Sequence, residues 1–107
     1  MDELLPIGSI VLTSQTLKKI IIIGFLPKKE TIVYDYVGVV LDNNKEKVFF
    51  NHDNISNIIF VGYQTRESIL YQKIVKDTKH ELKETEDEIE TVLKIQSKYL
   101  KIKEETK

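Results

Sequence analysis

All four glycines, both prolines and all four phenylalanines fall before Gln64, and none occurs after it. Glycine, proline and phenylalanine are thus confined to one part of the chain. The remainder is rich in Glu, Lys, Leu and Ile, the composition of helices. A chain divided in this way forms a sheet first and helices second. The expected fold class is therefore α+β, with residues 1–63 as a β-barrel or meander and residues 64–107 as a charged amphipathic helical tail of the same domain. At 107 residues the chain has room for one such domain.

In the first part, β-branched and aromatic runs separated by turn residues predict five strands, at residues 7–13, 18–26, 31–41, 46–51 and 57–63. The links between them are short enough for hairpins. Asp42, Asn43 and Asn44 suit the third link, and the fourth, around Asn51-His52-Asp53-Asn54, reads as a single helical turn capped by Asp53 or Asn54. Strand side chains alternate between faces. In the second strand Ile21, Ile23 and Phe25 share one face and Ile20 and Ile22 the other, so the strand is expected to be central and buried on both sides. In the third, Tyr34, Tyr36 and Val40 oppose Val33, Asp35, Val37, Val39 and Leu41, with Asp35 as the polar exception. Gly24, Gly38 and Gly62 mark bends. Together these features suit a small five-stranded antiparallel SH3-like barrel or curved meander followed by a C-terminal helical segment. A flat sheet capped by the C-terminal helix is the alternative.

The tail places Ile69, Leu70, Ile74 and Val75 at helical spacing, which predicts one docked face. Between Lys76 and Glu88 only Leu82 is strongly apolar. A second run, Ile89, Val92, Leu93, Tyr99 and Leu100, follows a possible capping box of Thr85 and Glu88. Two helices are expected, or one long helix with a weak middle. The second stripe has little left to cover in so small a domain, so it is the first candidate for a partner-binding surface, and the β-part is expected to stay folded without residues 86–107.

Catalytic chemistry is sparse. Without cysteine there is no disulfide, thiolate nucleophile or Cys-based zinc site. His52 and His80 lie far apart with no ligand at metal spacing beside them. Asp35 is a lone carboxylate with no partner motif, and the isolated glycines form no phosphate-binding loop. The acidic residues Glu81, Glu84, Glu86, Asp87, Glu88 and Glu90 are bracketed by lysines, as helix-surface ion pairs are. Tyr34, Tyr36, Tyr63 and Phe49 could form a recognition platform for peptide or RNA, or else fill the core. Lys18, Lys19, Lys28 and Lys29 could rim it. A net charge of −1 argues against nucleic acid as a partner. No segment has the apolar length of a membrane span or the form of a signal peptide, so a cytoplasmic location is expected. No cofactor and no enzymatic activity are expected.

In order along the chain, Leu5-Pro6-Ile7-Gly8-Ser9-Ile10-Val11-Leu12, Ile22-Ile23-Gly24, Tyr34-Asp35-Tyr36-Val37-Gly38-Val39, Phe49-Phe50-Asn51-His52 and Phe60-Val61-Gly62-Tyr63 make a series. It resembles a small domain-of-unknown-function family of Gram-positive bacteria, encoded beside the LXG polymorphic toxins of type VII secretion systems. The resemblance covers about residues 4–75. It implies an accessory role: a cytoplasmic chaperone or targeting factor that binds a cognate LXG toxin. An immunity protein binding the toxic domain is the alternative from the same neighbourhood. Tyr63-Gln64-Thr65-Arg66-Glu67 has the Tyr-x-x-x-Asp/Glu spacing of type VII export signals, but it falls at a strand-to-helix junction, so the chain is not read as the exported substrate.

Overall fold

The computed structural model describes residues 4–82 and 87–105. Among the described residues, seven strands are followed by two helices: β1 (Ile10–Thr13), β2 (Thr16–Phe25), β3 (Lys28–Lys29), β4 (Ile32–Val33), β5 (Tyr36–Val40), β6 (Asn43–Phe50), β7 (Ile55–Phe60), α1 (Arg66–Lys79) and α2 (Glu88–Glu105). A 3-10 turn at His52–Asn54 precedes β7, as the polar run Asn51 to Asn54 leads one to expect. Its entry residue is Asn51, whose N–H donates to the Asn54 side-chain oxygen at 2.8 Å. Asp53 does not cap it.

Five strands form one antiparallel sheet in the order β6-β5-β2-β1-β7, and β3 pairs with β4 in a second, two-stranded sheet. The edge strands β6 and β7 do not pair with each other, so the sheet is curved but open rather than a closed barrel. β2 is central, as expected. The residues expected to form one strand at 31–41 instead form β4 and β5, separated by a bend at Asp35. The link at residues 27–30 contains β3, and Glu30 turns it with a φ of 59°. The hairpin between β5 and β6 is tighter than expected: Val40 pairs directly with Asn43, leaving Leu41 and Asp42 as the turn.

One side of the sheet builds the core. Val11, Ile20, Ile22, Tyr36 and Phe50 meet Ile74 and Val75 of α1, Ile95 of α2, and Leu4 and Leu5. Burying each of the large aliphatic side chains contributes about 1.5–3 kcal/mol relative to exposure. Close approach of strands makes Gly38 necessary, because a Cβ there would overlap Ile20 Cγ2 and lie 2.8 Å from the Ile21 carbonyl oxygen. The Gln72 side-chain amide donates to the Leu4 carbonyl at 2.8 Å and ties the entering segment to α1.

The expectation that β2 is buried on both sides is not met. Ile20 and Ile22 are fully buried, whereas Ile23 is 43% exposed. The register between β2 and β5 slips between Ile22 and Gly24, which changes the parity of the strand. Phe25 consequently pairs with Tyr36 and packs against the core, leaving Ile21 and Ile23 on the other side.

Both helices expected in the tail are present. α1 opens with a reciprocal capping box: Ser68 N–H donates to Thr65 Oγ1 at 3.0 Å and Thr65 N–H to Ser68 Oγ at 2.7 Å. Thr85, proposed from the sequence to cap the second helix, lies outside the described residues. Asp87 takes that role, its carboxylate accepting the Glu90 N–H at 2.8 Å.

Candidate functional site

α2 divides its apolar residues between two sides. Ile95 is 3% exposed, and Tyr99 and Ile102 pack against the core. Tyr99 meets Tyr71 of α1 edge-on, with ring centroids 6.1 Å apart. Ile89, Leu93 and Leu100 are exposed, with Val92 on their flank, and their spacing of four and seven residues places them on one side of the helix. Of the five residues expected to form the partner stripe, four are therefore displayed and Tyr99 is largely turned to α1. A groove of about 630 Å³ between the helices is lined by Glu67, Ser68, Tyr71, Gln96, Tyr99 and Leu100. The expectation that α2 has little to cover is corrected by Ile95, which the sequence reading did not single out.

Tyr34 and Tyr36 do not share a surface. The bend at Asp35 sends Tyr36 into the core, fully buried, and leaves Tyr34 half-buried beside Phe49, with ring centroids 6.1 Å apart. As a contact residue for a partner, Tyr36 is ruled out by that burial. Lys29 Nζ lies 5.7 Å from the centre of the Phe49 ring. Tyr34, Phe49 and Lys29 line a shallow concavity with Gln15, Thr16, Glu46 and Lys47. Tyr63 stands apart, 85% exposed.

A polar cluster surrounds the bend. The Asp35 carboxylate accepts the His52 N–H and a Lys79 ammonium proton, each at 2.8 Å. Asn51 Oδ1 accepts the Asp35 N–H at 3.0 Å and a second Lys79 proton at 3.1 Å. Tyr36 accepts the Leu5 N–H at 2.8 Å and lies 2.6 Å from His52 Nδ1. Its single hydroxyl proton is free to go to His52 Nδ1, which leaves the imidazole proton on Nε2, a buried atom with no partner among the described residues. Burial raises the Tyr36 hydroxyl well above its ordinary range and lowers His52 below its own, the latter against the opposing attraction of Asp35. Both groups are thus held neutral and directed inward. The cluster fastens β5, the 3-10 turn, α1 and the segment at Leu5 to one another. The Asp35 exception visible in the sequence is its centre, while Lys79, 44 residues away, carries no local signal of its part.

The side of the sheet turned away from the core is apolar as well. Register aligns Phe60, Ile10, Ile21, Val39 and Lys47 in one row across all five strands. The core and the side chains packed on it include none of the five. Phe60 is 56% exposed. Among the described residues, no three His, Asp or Glu side chains are grouped to hold a metal ion, and no helix is long and apolar enough to cross a membrane.

Comparison with known proteins finds no matching curated protein and no matching solved structure. Residues 4–70, which run from the buried Leu4 through the whole sheet into α1, match the family described as Domain of unknown function (DUF4176). That span takes in every motif of the series noted in the sequence and stops short of α2. It covers more than half of the chain, and the protein belongs to the DUF4176 family.

Proposed function

We propose that this protein is a non-catalytic binding factor that engages a cognate LXG toxin of a type VII secretion system as its chaperone or targeting factor. The observation that carries this reading is the surplus of displayed apolar surface on α2. Ile95, Tyr99 and Ile102 serve the domain itself, and Ile89, Leu93 and Leu100 are left outward. An amphipathic helix with a second, unused apolar side suits docking against another helix. The motif series supplies the identity of the partner, through the toxin neighbourhood of the family it resembles. Within the polar cluster, Asp35, Asn51 and Lys79 are bonded to one another, which suits a structural role for them.

The test is capture from the source bacterium with the full chain as bait, followed by mapping of any captured toxin. Recovery of the N-terminal LXG half, weakened by Leu93→Glu or Leu100→Glu, supports the proposal. Recovery of the toxic half alone, with protection of cells from it, makes the protein an immunity factor. If no toxin is captured, the proposal fails, and the concavity at Tyr34 and Phe49 becomes the place to test peptides and RNA.

A further inference from the structure

Leu4 and Leu5 lie outside every strand and helix, yet both belong to the core, 6% and 8% exposed. From the turn at residues 6–9 onward the chain is fixed to β2: the Gly8 N–H donates to the Ile22 carbonyl at 2.8 Å and the Ile22 N–H to the Ser9 carbonyl at 2.9 Å. Ahead of that turn, two hydrogen bonds hold the chain among the described residues. The Leu4 carbonyl accepts from Gln72 of α1 and the Leu5 N–H donates to the Tyr36 hydroxyl, each at 2.8 Å.

The second of these bonds ends on an atom that His52 also uses. With a neutral ring the hydroxyl accepts from Leu5 and gives its proton to His52 Nδ1, 2.6 Å away, and all three groups at that junction are met. A second proton on the ring sits on Nδ1 and turns it from acceptor to donor. Two protons then face each other across one gap. The hydroxyl can turn its own proton aside only toward the place of the Leu5 N–H, or to no acceptor, because Tyr36 is fully buried and has no other hydrogen-bond partner among the described residues. Nε2 gives no relief, being buried and unpartnered among the described residues. Of the three groups, Tyr36 is held in β5 between β2 and β6, and the His52 N–H is fastened to the Asp35 carboxylate at 2.8 Å. For Leu5 the contested bond is the only one it makes among the described residues.

We propose that His52 is a latch on this entering segment: a second proton on its ring releases Leu4 and Leu5 from the core, the chain pivoting at the turn of residues 6–9. The charges acting on the ring are Asp35 and Asp53, which draw the proton, and Lys76 of α1 and the amino terminus, which repel it. Lys79 of α1 is bound to Asp35. Burial outweighs the two carboxylates and disfavours a charged ring while the segment is closed. By reciprocity, a closed segment that resists the proton is opened by it. Opening uncovers the core beneath Leu4 and Leu5 and frees Gln72, whose neighbour Tyr71 lines the groove between the helices. The latch rests on bonds within the domain and does not depend on the toxin reading.

Hydrogen exchange followed by NMR on the full chain, corrected for the intrinsic pH dependence of exchange, tests the proposal. Protection of the Leu5 amide should fall by about tenfold or more from neutral to mildly acidic pH, the change that a displacement of one pH unit in the ring's titration yields. The fall should track the His52 ring resonances, while the amides of Ile20 and Val40, paired in the centre of the sheet, keep their protection. His52→Asn offers a side-chain oxygen in place of Nδ1 and takes up no proton, so it should leave Leu5 protected throughout; His80→Gln should leave the transition where it is. Leu5 protection that ignores pH in the wild type overturns the proposal, as does a loss shared equally by Ile20 and Val40, which is unfolding of the whole domain. Both results are read on the wild type and stand even if a variant fails to fold. A loss that persists in His52→Asn overturns it too and places the acid-sensitive group elsewhere.

Discussion

The Tyr36 hydroxyl lies 2.6 Å from His52 Nδ1, so a buried strand residue and the turn before the last strand are joined by one proton. The same hydroxyl accepts the Leu5 N–H. Tyr36→Phe keeps the ring and removes both bonds, leaving a buried N–H and a half-buried imidazole nitrogen unmet. Stability should fall by about 1–3 kcal/mol, read from urea denaturation. A change too small to measure would show that water or a shift of the Leu5 segment replaces the hydroxyl.

His52 also ties stability to pH. Burial holds it below its ordinary value, so the unfolded chain takes up a proton more readily than the folded one. Above the unfolded value of about 6.5 both forms are neutral and the contribution is complete. Stability should decline as pH falls below that value and level off once the folded imidazole also titrates. Urea midpoints for wild type and His52→Gln, followed from neutral to mildly acidic pH, isolate the effect from His80. Parallel curves would place the acid sensitivity elsewhere.

Ile95 decides whether α2 is part of the domain. It is 3% exposed and belongs to the core that joins both helices to the sheet. Ile95→Ala should cost about 2–5 kcal/mol, whereas Leu93→Ala, on the exposed side, should cost little. Equal, small effects from the two would restore the expectation that the chain folds without residues 86–107.

Gly38→Ala tests the closeness of β2 and β5. The added methyl has the backbone oxygen of Ile21 at 2.8 Å and the side chain of Ile20 in its place. Only a side chain can rotate away. A loss of about 1–3 kcal/mol or more is expected, measured by thermal or urea unfolding. Wild-type stability would mean that the strands separate there without cost.

Much of the fold was legible where the cause is local. Asn51-His52-Asp53-Asn54 has no apolar residue to keep it in a strand, and it forms the 3-10 turn. The reciprocal cap of Thr65 and Ser68 on α1 is equally local, yet it was not singled out in the sequence. The bend at Asp35 was not legible, because its cause is remote: Asn51 and Lys79 hold the residue from 16 and 44 positions away. Strand parity failed for a similar reason. Alternation assigns Phe25 to the side of Ile21, and only the slip against β5 returns it to the core. For α2, apolar residues on two sides of one helix give no ranking between them, so Ile95 was missed while Leu93 and Leu100 were found. Alternation likewise marks Ile21 and Ile23 as apolar without saying that the core takes in neither of them.

The bonds from Gln72 to Leu4 and from Gly62 to Ser9 span 68 and 53 residues of sequence. During synthesis Leu4 therefore leaves the ribosome long before the residue that fastens it. β1 likewise waits for β7, its neighbour in the finished sheet. Contacts that close over such distances slow folding. Throughout that interval β1 presents an open, uncharged edge to solvent, so a growing chain halted before Gly62 should be cleaved by protease where the released protein resists it.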